Sequence, residues 1–126
     1  MDEFRCFTWS PEHFPEPKKL LRELADIGFK TVVIIDPGIK IDKNYDIWQQ
    51  GILKDYFCKR ADGTLMEGDV WPGKCHFPDF TNPLVREWWS GLFKGLIDVG
   101  VRGVWNDMNE PAVFEIGSFP EDVRHN

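Results

Sequence analysis

Apolar residues recur at helical spacing between residues 14 and 30, in the segment FPEPKKLLRELADIGFK. Four of them fall on one stripe of a helix: Leu20, Leu21, Leu24 and Ile27. Pro17 suits the first helical position, where its missing N–H does no harm, and Gly28 suits a left-handed C-cap. The pattern predicts a helix that begins near Pro17 and ends at Gly28.

A continuous run of β-branched residues follows, from Val32 to Ile35. Such a run is typical of a strand that is buried on both faces of a parallel sheet. Asp36, Pro37 and Gly38 come directly after it and have the turn chemistry that ends a strand. We therefore expect a short buried strand that is followed at once by an acid.

The same order of elements occurs a second time between residues 80 and 107. Asn82 suits a helix N-cap, Pro83 the first helical position and Gly100 the end of the helix. The stripe of this helix has six apolar members: Val85, Trp88, Trp89, Leu92, Leu96 and Val99. The segment VRGVWND then predicts a second strand, which again ends in an acid, Asp107. Helix, glycine, strand and acid, repeated in order, indicate an α/β fold with about two βα units in a parallel sheet.

A long segment, roughly residues 38–81, separates these two units. Its turn signals are KNYD, RADG and WPG. A loop of this length in a compact domain usually has a function or contains small elements of its own. We expect a short helix and a small hairpin between residues 51 and 71, placed over the sheet.

Composition and charge narrow the class of partner. The 126 residues are 42% hydrophobic and 29% charged, which suits one globular domain or part of a larger one. The net charge is −6 and no cluster of Lys and Arg stands out, so nucleic acid is not an expected partner. No apolar run approaches the roughly 18 residues that span a bilayer, and MDEFRCFTW does not resemble a signal peptide.

The cysteines and histidines show no metal-binding spacing. The cysteines are odd in number and have no CxxC pair, so neither a disulfide framework nor a zinc site is expected: Cys6, Cys58 and Cys75. Free thiols in a reducing cytoplasm are the simplest interpretation, and a Cys58–Cys75 bridge is the alternative for an exported protein. No two of the histidines are spaced as metal ligands: His13, His76 and His125.

Acids and aromatic residues follow both predicted strands. Parallel α/β proteins place their chemistry at the C-terminal ends of the strands, where Asp36 and Asp107 lie. Because residues i and i+2 share a face of a strand, the side chain of Asp36 should point to the same side as that of Ile34, and the side chain of Asp107 to the same side as that of Trp105. If that face lines the mouth of a barrel, both acids and Trp105 converge on one pocket.

Each of these residues also has a purely structural interpretation. Aspartates are common turn formers and N-caps, and Trp71, in a Gly/Pro-rich loop, could plug the edge of the core. However, a buried carboxylate needs a hydrogen-bond donor or a positive partner, and arginine is sparse near Asp36 and Asp107. A sugar hydroxyl or a developing cation would supply that partner, and the ring of Trp71 would then be a surface on which the ligand stacks.

Two acids beside an aromatic residue permit three chemistries. The first is glycoside hydrolysis, in which a carboxylate attacks the anomeric carbon. The second is a Mg²⁺ site for phosphoryl transfer, with Asp36, Asp107 and Glu110 as ligands. The third is a non-catalytic sugar-binding surface. Neither GxxxxGK[ST] nor GxGxxG occurs in the sequence, so the tryptophans favour a sugar over a phosphate.

Several segments resemble family 31 of the glycoside hydrolases, the α-glucosidase family. VWNDMNEP is similar to the nucleophile motif of that family. FTWSPEHFPEPKKLLRELADIGFKTVVIIDPGIK, VWPG and FPDFTNPLVREWW resemble further segments of its catalytic domain, in the same order. The resemblance covers essentially the whole chain, from Met1 to about Phe114.

The resemblance implies a fold, a reaction and a set of site residues. The fold would be a partial (β/α)₈ TIM barrel, from the helix before its third strand to just past its fourth. Asp107 would be the nucleophile of a retaining mechanism, and Glu110 would help to hold its geometry. Asp36 would bind hydroxyls of the sugar, in a pocket lined by four further residues: Ile34, Trp71, Trp105 and Met108. The parent enzyme would release terminal α-linked glucose from oligosaccharides, with no metal or organic cofactor.

Two acids of the family motifs have no counterpart in the sequence. One is the first Asp of the acidic motif at the end of the preceding strand, of which only the tail, MD, matches. The other is the acid/base Asp, which lies later in the family. We therefore expect a fragment of the barrel, residues 1–126, without turnover of its own and with the remainder of the barrel missing. The alternative is a non-catalytic carbohydrate-binding or interaction piece.

Overall fold

Helices and strands alternate along the chain, and a small second sheet interrupts them. The computed structural model describes residues 1–125. Its elements are, in order, α1 (Pro17–Asp26), β1 (Val32–Ile35), β2 (Ile39–Lys40), α2 (Asp46–Leu53), β3 (Glu67–Val70), β4 (Gly73–His76), α3 (Pro83–Val99) and β5 (Gly103–Asn106). The α/β class predicted from the sequence is therefore present, with each of the two parallel strands, β1 and β5, preceded by a long helix.

The ends of α1 and α3 lie where the local sequence predicts them. Pro17 occupies the first turn of α1, and Gly28 follows the helix in a left-handed conformation with φ of 94°. The side chain of Asn82 accepts a hydrogen bond of 2.9 Å from the backbone N–H of Leu84 and caps α3. Gly100, with φ of 120°, ends α3. These caps satisfy backbone groups that a helix terminus leaves without partners.

β1 and β5 lie side by side and run parallel. Their register places Val32 opposite Gly103 and Ile34 opposite Trp105. Helices α1 and α3 contact each other, and both supply buried residues to the core beside this pair. The core between the helices and the strands is built from five buried residues: Cys6, Leu21, Ile35, Leu96 and Val101. The two strands therefore end at the same edge, as the prediction of a shared pocket requires.

The prediction that β1 is buried on both faces is wrong. Only Ile35 of the strand is buried, and Val32 is 61% exposed. The α1 stripe is likewise buried only at Leu21, while Ile27 lies on the surface. The physical reason is the number of neighbours, since β5 is the only strand paired with β1 in the described part of the chain. An apolar groove of about 300 Å³, lined by Leu20, Val32 and other residues, lies open between α1 and β1.

The long connecting segment forms a three-stranded antiparallel sheet in the order β2-β4-β3. The predicted hairpin is present as β3 and β4, with Trp71 and Pro72 at its turn. The predicted helix lies earlier than expected, because α2 begins at Asp46 and contains Gly51 rather than starting there. The ring of Phe57 packs so closely on Gly51 that an added Cβ would lie 2.3 Å from Phe57 Cζ. Tertiary packing thus requires a glycine inside α2 at this position.

Two further apolar clusters lie beneath this sheet. One contains six buried residues, Cys58, Met66, Val70, Cys75, Phe77 and Val113, with Met108 packed against it. The other is formed by Ile39, Tyr45, Ile47 and Phe57. All three cysteines are buried free thiols, and burial raises the pKa of Cys58 and Cys75 to about 12. Within residues 1–125, no helix has the length and apolar character needed to cross a membrane.

Candidate active site

Asp36 and Asp107 follow the carboxyl ends of two neighbouring parallel strands. The ladder continues one step beyond β5, because the N–H of Asp107 donates to the carbonyl of Ile35 at 3.2 Å. Asp36 is the next residue after Ile35, so the two acids lie beside each other across the strand pair. The charge of Asp107 is close enough to act on the carboxyl group of Asp36. The two acids are therefore neighbours at one edge of the strand pair, and the prediction that they share a pocket with Trp105 stays a prediction.

Asp36 is a buried carboxylate with an unfilled acceptor position. Its exposed fraction is 8%, and its Oδ1 has no hydrogen-bond partner among residues 1–125. Burial, and then the negative charge of Asp107, raise the pKa of the Asp36 carboxyl group above its usual value. A buried polar atom without a partner costs free energy, and such atoms are rare outside functional sites. Asp36 is therefore arranged to receive a donor that the described chain does not supply.

The loop that carries Asp107 is held in an uncommon backbone conformation. The carbonyl of Asp107 accepts a hydrogen bond of 2.7 Å from Asn109 Nδ2, and the N–H of Ala112 donates to the carbonyl of Met108 at 3.1 Å. Met108 has a left-handed backbone with φ of 60°, which costs a residue with a side chain roughly 1–2 kcal/mol. Its side chain packs on the apolar cluster beneath the inserted sheet. The local strain is thus supported by packing, as strain at functional loops usually is.

Two exposed tryptophans lie on the strand that precedes Asp107 and beside the loop that follows it. Trp105 is 61% exposed on β5, opposite the half-buried Ile34 of β1. Trp71, at the β3–β4 turn, is 59% exposed and packs edge to face on Phe114, with ring centroids 5.0 Å apart. The N–H of Phe114 donates to the carbonyl of Asp69 at 2.9 Å, which joins the Asp107 loop to β3. Trp71 is therefore a surface aromatic beside the loop and does not plug the core.

Among the described residues, neither Glu110 nor His76 forms a hydrogen bond with the side chain of Asp36 or Asp107. Glu110 is exposed, and within residues 1–125 no hydrogen bond joins its side chain to Asp107, so its supporting role stays a prediction. His76 is buried, stacks on Trp48 and accepts a hydrogen bond of 3.1 Å from Trp48 Nε1 at Nδ1. Burial lowers the pKa of the His76 imidazole. His76 is thus a core histidine.

The geometry gives no support to a Mg²⁺ cage at this site. The three carboxylates proposed as its ligands do not form a group with their ligand atoms within 4.8 Å of one another in the described part of the chain: Asp36, Asp107 and Glu110. A magnesium ion needs oxygen ligands at near-ideal octahedral positions. The arrangement instead offers one buried acid, one half-buried acid and aromatic faces, which suits a polyhydroxylated ring.

Sequence reasoning missed two residues of the site, Asn109 and Phe114. Asn109 fixes the backbone of Asp107 through a side-chain hydrogen bond over two residues, a local signal that an Asn in a turn gives. The contact of Phe114 with Trp71 joins positions 43 apart in the sequence and depends on the pairing of the loop with β3. No periodicity in the sequence marks a contact of that kind.

The chain as a whole is similar to known proteins. Residues 1–126 match the model of the glycosyl hydrolases family 31 TIM-barrel domain. The chain is 49% identical over 114 residues to "Alpha-glucosidase 2" of Bacillus thermoamyloliquefaciens, covering 90% of this chain and 14% of the relative.

Solved structures are similar as well. The DNJ-bound crystal structure of a glucosidase II alpha subunit matches with a TM-score of 0.91 and 41% identity, covering 100% of this chain and 14% of that one. A family 31 dextranase of Flavobacterium johnsoniae, complexed with glucose, matches with a TM-score of 0.84 and 31% identity, covering 95% of this chain and 15% of that one. The chain therefore spans about 14% of the length of these relatives.

Proposed function

The chain belongs to family 31 of the glycosyl hydrolases, as part of its TIM-barrel domain, and from this premise we propose that it contributes the nucleophile half of a retaining α-glucosidase site. The substrate of the whole enzyme would be an oligosaccharide with terminal α-linked glucose. The observation that carries the proposal is the pair of acids at neighbouring strand ends, of which Asp36 is buried with an unfilled acceptor.

Asp107 is the proposed nucleophile. One oxygen of its carboxylate attacks the anomeric carbon, and the bond from that carbon to the glycosidic oxygen breaks. The leaving oxygen takes a proton from an acid that we expect in another part of the whole enzyme. Water then attacks the same carbon, gives up a proton to that group and releases Asp107. The backbone bond from Asn109 and the strained Met108 support this role, because both fix where Asp107 points.

Asp36 is the proposed acceptor for hydroxyl groups of the sugar. Its unpartnered Oδ1 would gain a hydrogen bond when a hydroxyl enters, and the cost of its burial would then be offset. Ile34, Trp105, Met108 and Trp71 would line the same pocket, since they surround the two strand ends or the loop beside them. Glu110 would support Asp107 once the surrounding barrel is in place.

The two parallel strands are the proposed third and fourth strands of the barrel. On this assignment α1–β1 and α3–β5 belong to successive βα units, with the inserted sheet as a cap beside the mouth. The open groove between α1 and β1 would take the preceding strand. The isolated chain would therefore lack both a closed pocket and the proton donor, and we expect it to have no turnover.

A segment swap tests the proposal without assuming where the natural protein ends. The aligned segment of the Bacillus thermoamyloliquefaciens relative is replaced by this chain, to which it is 49% identical. We call the product the segment-swapped enzyme and expect it to hydrolyse p-nitrophenyl α-glucoside. Asp107→Asn should lower kcat on the order of 10⁴-fold, the scale on which removal of a catalytic group is felt. The matched control is Asp26→Asn, an exposed acid at the end of α1, which should leave kcat unchanged.

Azide distinguishes a nucleophile from a binding residue. In Asp107→Gly, azide can enter the space of the lost carboxylate, attack the anomeric carbon and release the aglycone, giving a β-glucosyl azide. Formation of that product supports the proposal. An active segment-swapped enzyme whose activity survives Asp107→Asn contradicts it. Saturable binding of glucosides to the isolated chain, unaffected by Asp107→Asn, would favour the alternative of a non-catalytic sugar-binding piece.

A further inference from the structure

Three side chains with metal-binding atoms meet away from the acids at the strand ends. They are Cys58, Asp79 and His125, whose ligand atoms all lie within 4.8 Å of one another. His125 Nδ1 lies 3.3 Å from Asp79 Oδ1 and 3.9 Å from Cys58 Sγ. Atoms bound to one tetrahedral ion at about 2.0–2.3 Å are separated by distances of this size. The three atoms therefore lie close enough together to bind one ion.

Backbone hydrogen bonds hold these residues in adjoining segments. The N–H of Cys58 donates to the carbonyl of Phe77 at 2.8 Å, and the N–H of Asp79 donates to the carbonyl of Tyr56 at 2.9 Å. The segment that carries His125 is tied to the segment that carries Cys58, because the N–H of residue 124 donates to the carbonyl of residue 59 at 2.8 Å. The backbone at or beside each of the three residues is therefore hydrogen-bonded to a neighbouring segment.

Neighbouring side chains orient the proposed ligands. Asp79 Oδ1 accepts hydrogen bonds from Thr81, from its N–H at 3.0 Å and from its Oγ1 at 2.7 Å. The ring of Phe119 stacks on the imidazole of His125 with an interplanar angle of 18°. Outer contacts of this kind fix the orientation of ligands in known metal sites.

From this geometry we propose that Cys58, Asp79 and His125 bind one divalent ion of the zinc class, with a fourth position open to water. A sulfur and an imidazole nitrogen select Zn²⁺ over Mg²⁺ and Ca²⁺, which prefer oxygen ligands throughout. Binding replaces the thiol proton of Cys58 with the metal and releases that proton to solvent. A cavity of about 280 Å³ lined by Asp79 and His125 gives the ion a path from solvent.

The position of the site suggests what the ion does. A cavity of about 250 Å³ is lined by Cys58 and His125 and also by Asn109 and Pro111 of the Asp107 loop. An ion at Cys58 would join the segment that follows this loop to the segment between β4 and α3. The ion would stabilise the position of these segments behind the loop and would take no part in the reaction of a sugar. The metal proposal does not depend on the proposed glycosidase function.

Cobalt spectroscopy tests the site on the chain itself. Co²⁺ is added to the reduced chain in the absence of oxygen and of other thiols. We expect one equivalent to bind with tetrahedral visible bands and a near-ultraviolet band of sulfur-to-cobalt charge transfer, both abolished by Zn²⁺. Cys58→Ser and His125→Gln should each weaken Co²⁺ binding by about 100-fold or more. Loss of a residue that only orients a ligand already costs up to about 100-fold, and loss of a ligand should cost at least as much. His125 is exposed, so we expect His125→Gln to keep the fold.

Matched variants show whether the effect belongs to these residues. Cys75→Ser removes a second buried thiol of the same apolar cluster, and His13→Gln removes an exposed imidazole elsewhere. Both should bind Co²⁺ as the unchanged chain does. The proposal is overturned if the unchanged chain shows no charge-transfer band, or if the band persists in both Cys58→Ser and His125→Gln.

Discussion

The burial that suits Asp36 to its proposed sugar-binding role lowers the stability of the folded chain at neutral pH. Its carboxylate is buried, has an acceptor without a partner among residues 1–125, and faces the charge of Asp107. Burial raises its pKa in the folded chain, so the folded chain holds the proton more tightly than the unfolded chain does. Stability is therefore lost as pH rises from the ordinary Asp value of about 3.9 through the raised value.

Replacement of Asp36 by Asn should stabilise the chain at neutral pH. Asp36→Asn removes the buried charge and its repulsion by Asp107, and we expect a gain of roughly 0.5–2 kcal/mol, the usual range for a stabilising substitution. Below about pH 3.9 the gain should disappear, because Asp36 is then protonated in both states. Urea unfolding of both proteins at pH 7 and at low pH measures the difference. A loss of stability at pH 7 would contradict the assignment, and Asp26→Asn is the control.

The proximity of the two acids was predictable at the residue scale, while the aromatic contact was not. Two strands with an acid after each, in a parallel sheet, place Asp36 and Asp107 together by topology alone. The burial of Asp36 and its unfilled acceptor depend on packing that the sequence pattern does not contain. The contact of Trp71 with Phe114 depends on how the inserted sheet docks on the Asp107 loop.

At the scale of elements, two glycines in helices illustrate opposite uses of the same residue. In α2 a Cβ on Gly51 would lie 2.3 Å from Phe57 Cζ, whereas in α3 a Cβ on Gly91 would meet nothing within 4 Å. Gly51→Ala should therefore destabilise the chain by about 1–3 kcal/mol through overpacking. Gly91→Ala should stabilise it by roughly 0.5–1 kcal/mol, because glycine inside a helix loses more backbone entropy.

Chemical unfolding of these two variants beside the unchanged chain checks that pair of effects. The contrast in sign is the informative result, since both substitutions add one methyl group to a helix. Equal effects of Gly51→Ala and Gly91→Ala would contradict the close contact with Phe57. A destabilising Gly91→Ala would contradict the open space around Gly91 on α3.

The elements with local end signals were the ones that the sequence predicted well. Pro17, Asn82 and Gly100 act through their own backbone or cap geometry, so α1 and α3 lie where expected. The short helix expected between residues 51 and 71 lies earlier, at Asp46–Leu53, and the need for Gly51 comes from its contact with Phe57, six residues away. The strand β2 contains only Ile39 and Lys40, too few residues to show an alternating pattern.

At the scale of the whole molecule, the exposed apolar residues around β1 indicate a surface that further chain would cover. Val32 is 61% exposed although it lies in a β-branched run, and the groove between α1 and β1 is open. Runs of this kind occur in strands with both faces covered. A chain that spans 14% of its relatives is consistent with the absence of those neighbours from the structure.

The effect of Val32→Thr on stability should differ between the isolated chain and the segment-swapped enzyme. In the isolated chain the substitution should be nearly neutral, because the side chain is largely in water. In the segment-swapped enzyme it should cost about 1–3 kcal/mol, because a hydroxyl would be buried without a partner. Val70→Thr is the matched control. Val70 is only 5% exposed within the chain, so this substitution should destabilise both proteins. Thermal unfolding of the two variants in both contexts measures this, and a neutral Val32→Thr in the segment-swapped enzyme would contradict the barrel placement.

Covalent trapping of the nucleophile tests the central claim most directly. The segment-swapped enzyme is incubated with a glucose-configured cyclophellitol epoxide, and the intact mass and the peptides are then measured. We predict a single adduct, mapped to Asp107, that is absent from Asp107→Asn and does not form on the isolated chain. An adduct on a different carboxylate, or an active enzyme in which Asp107 stays unmodified, would contradict the assignment of Asp107 as the group that attacks the sugar.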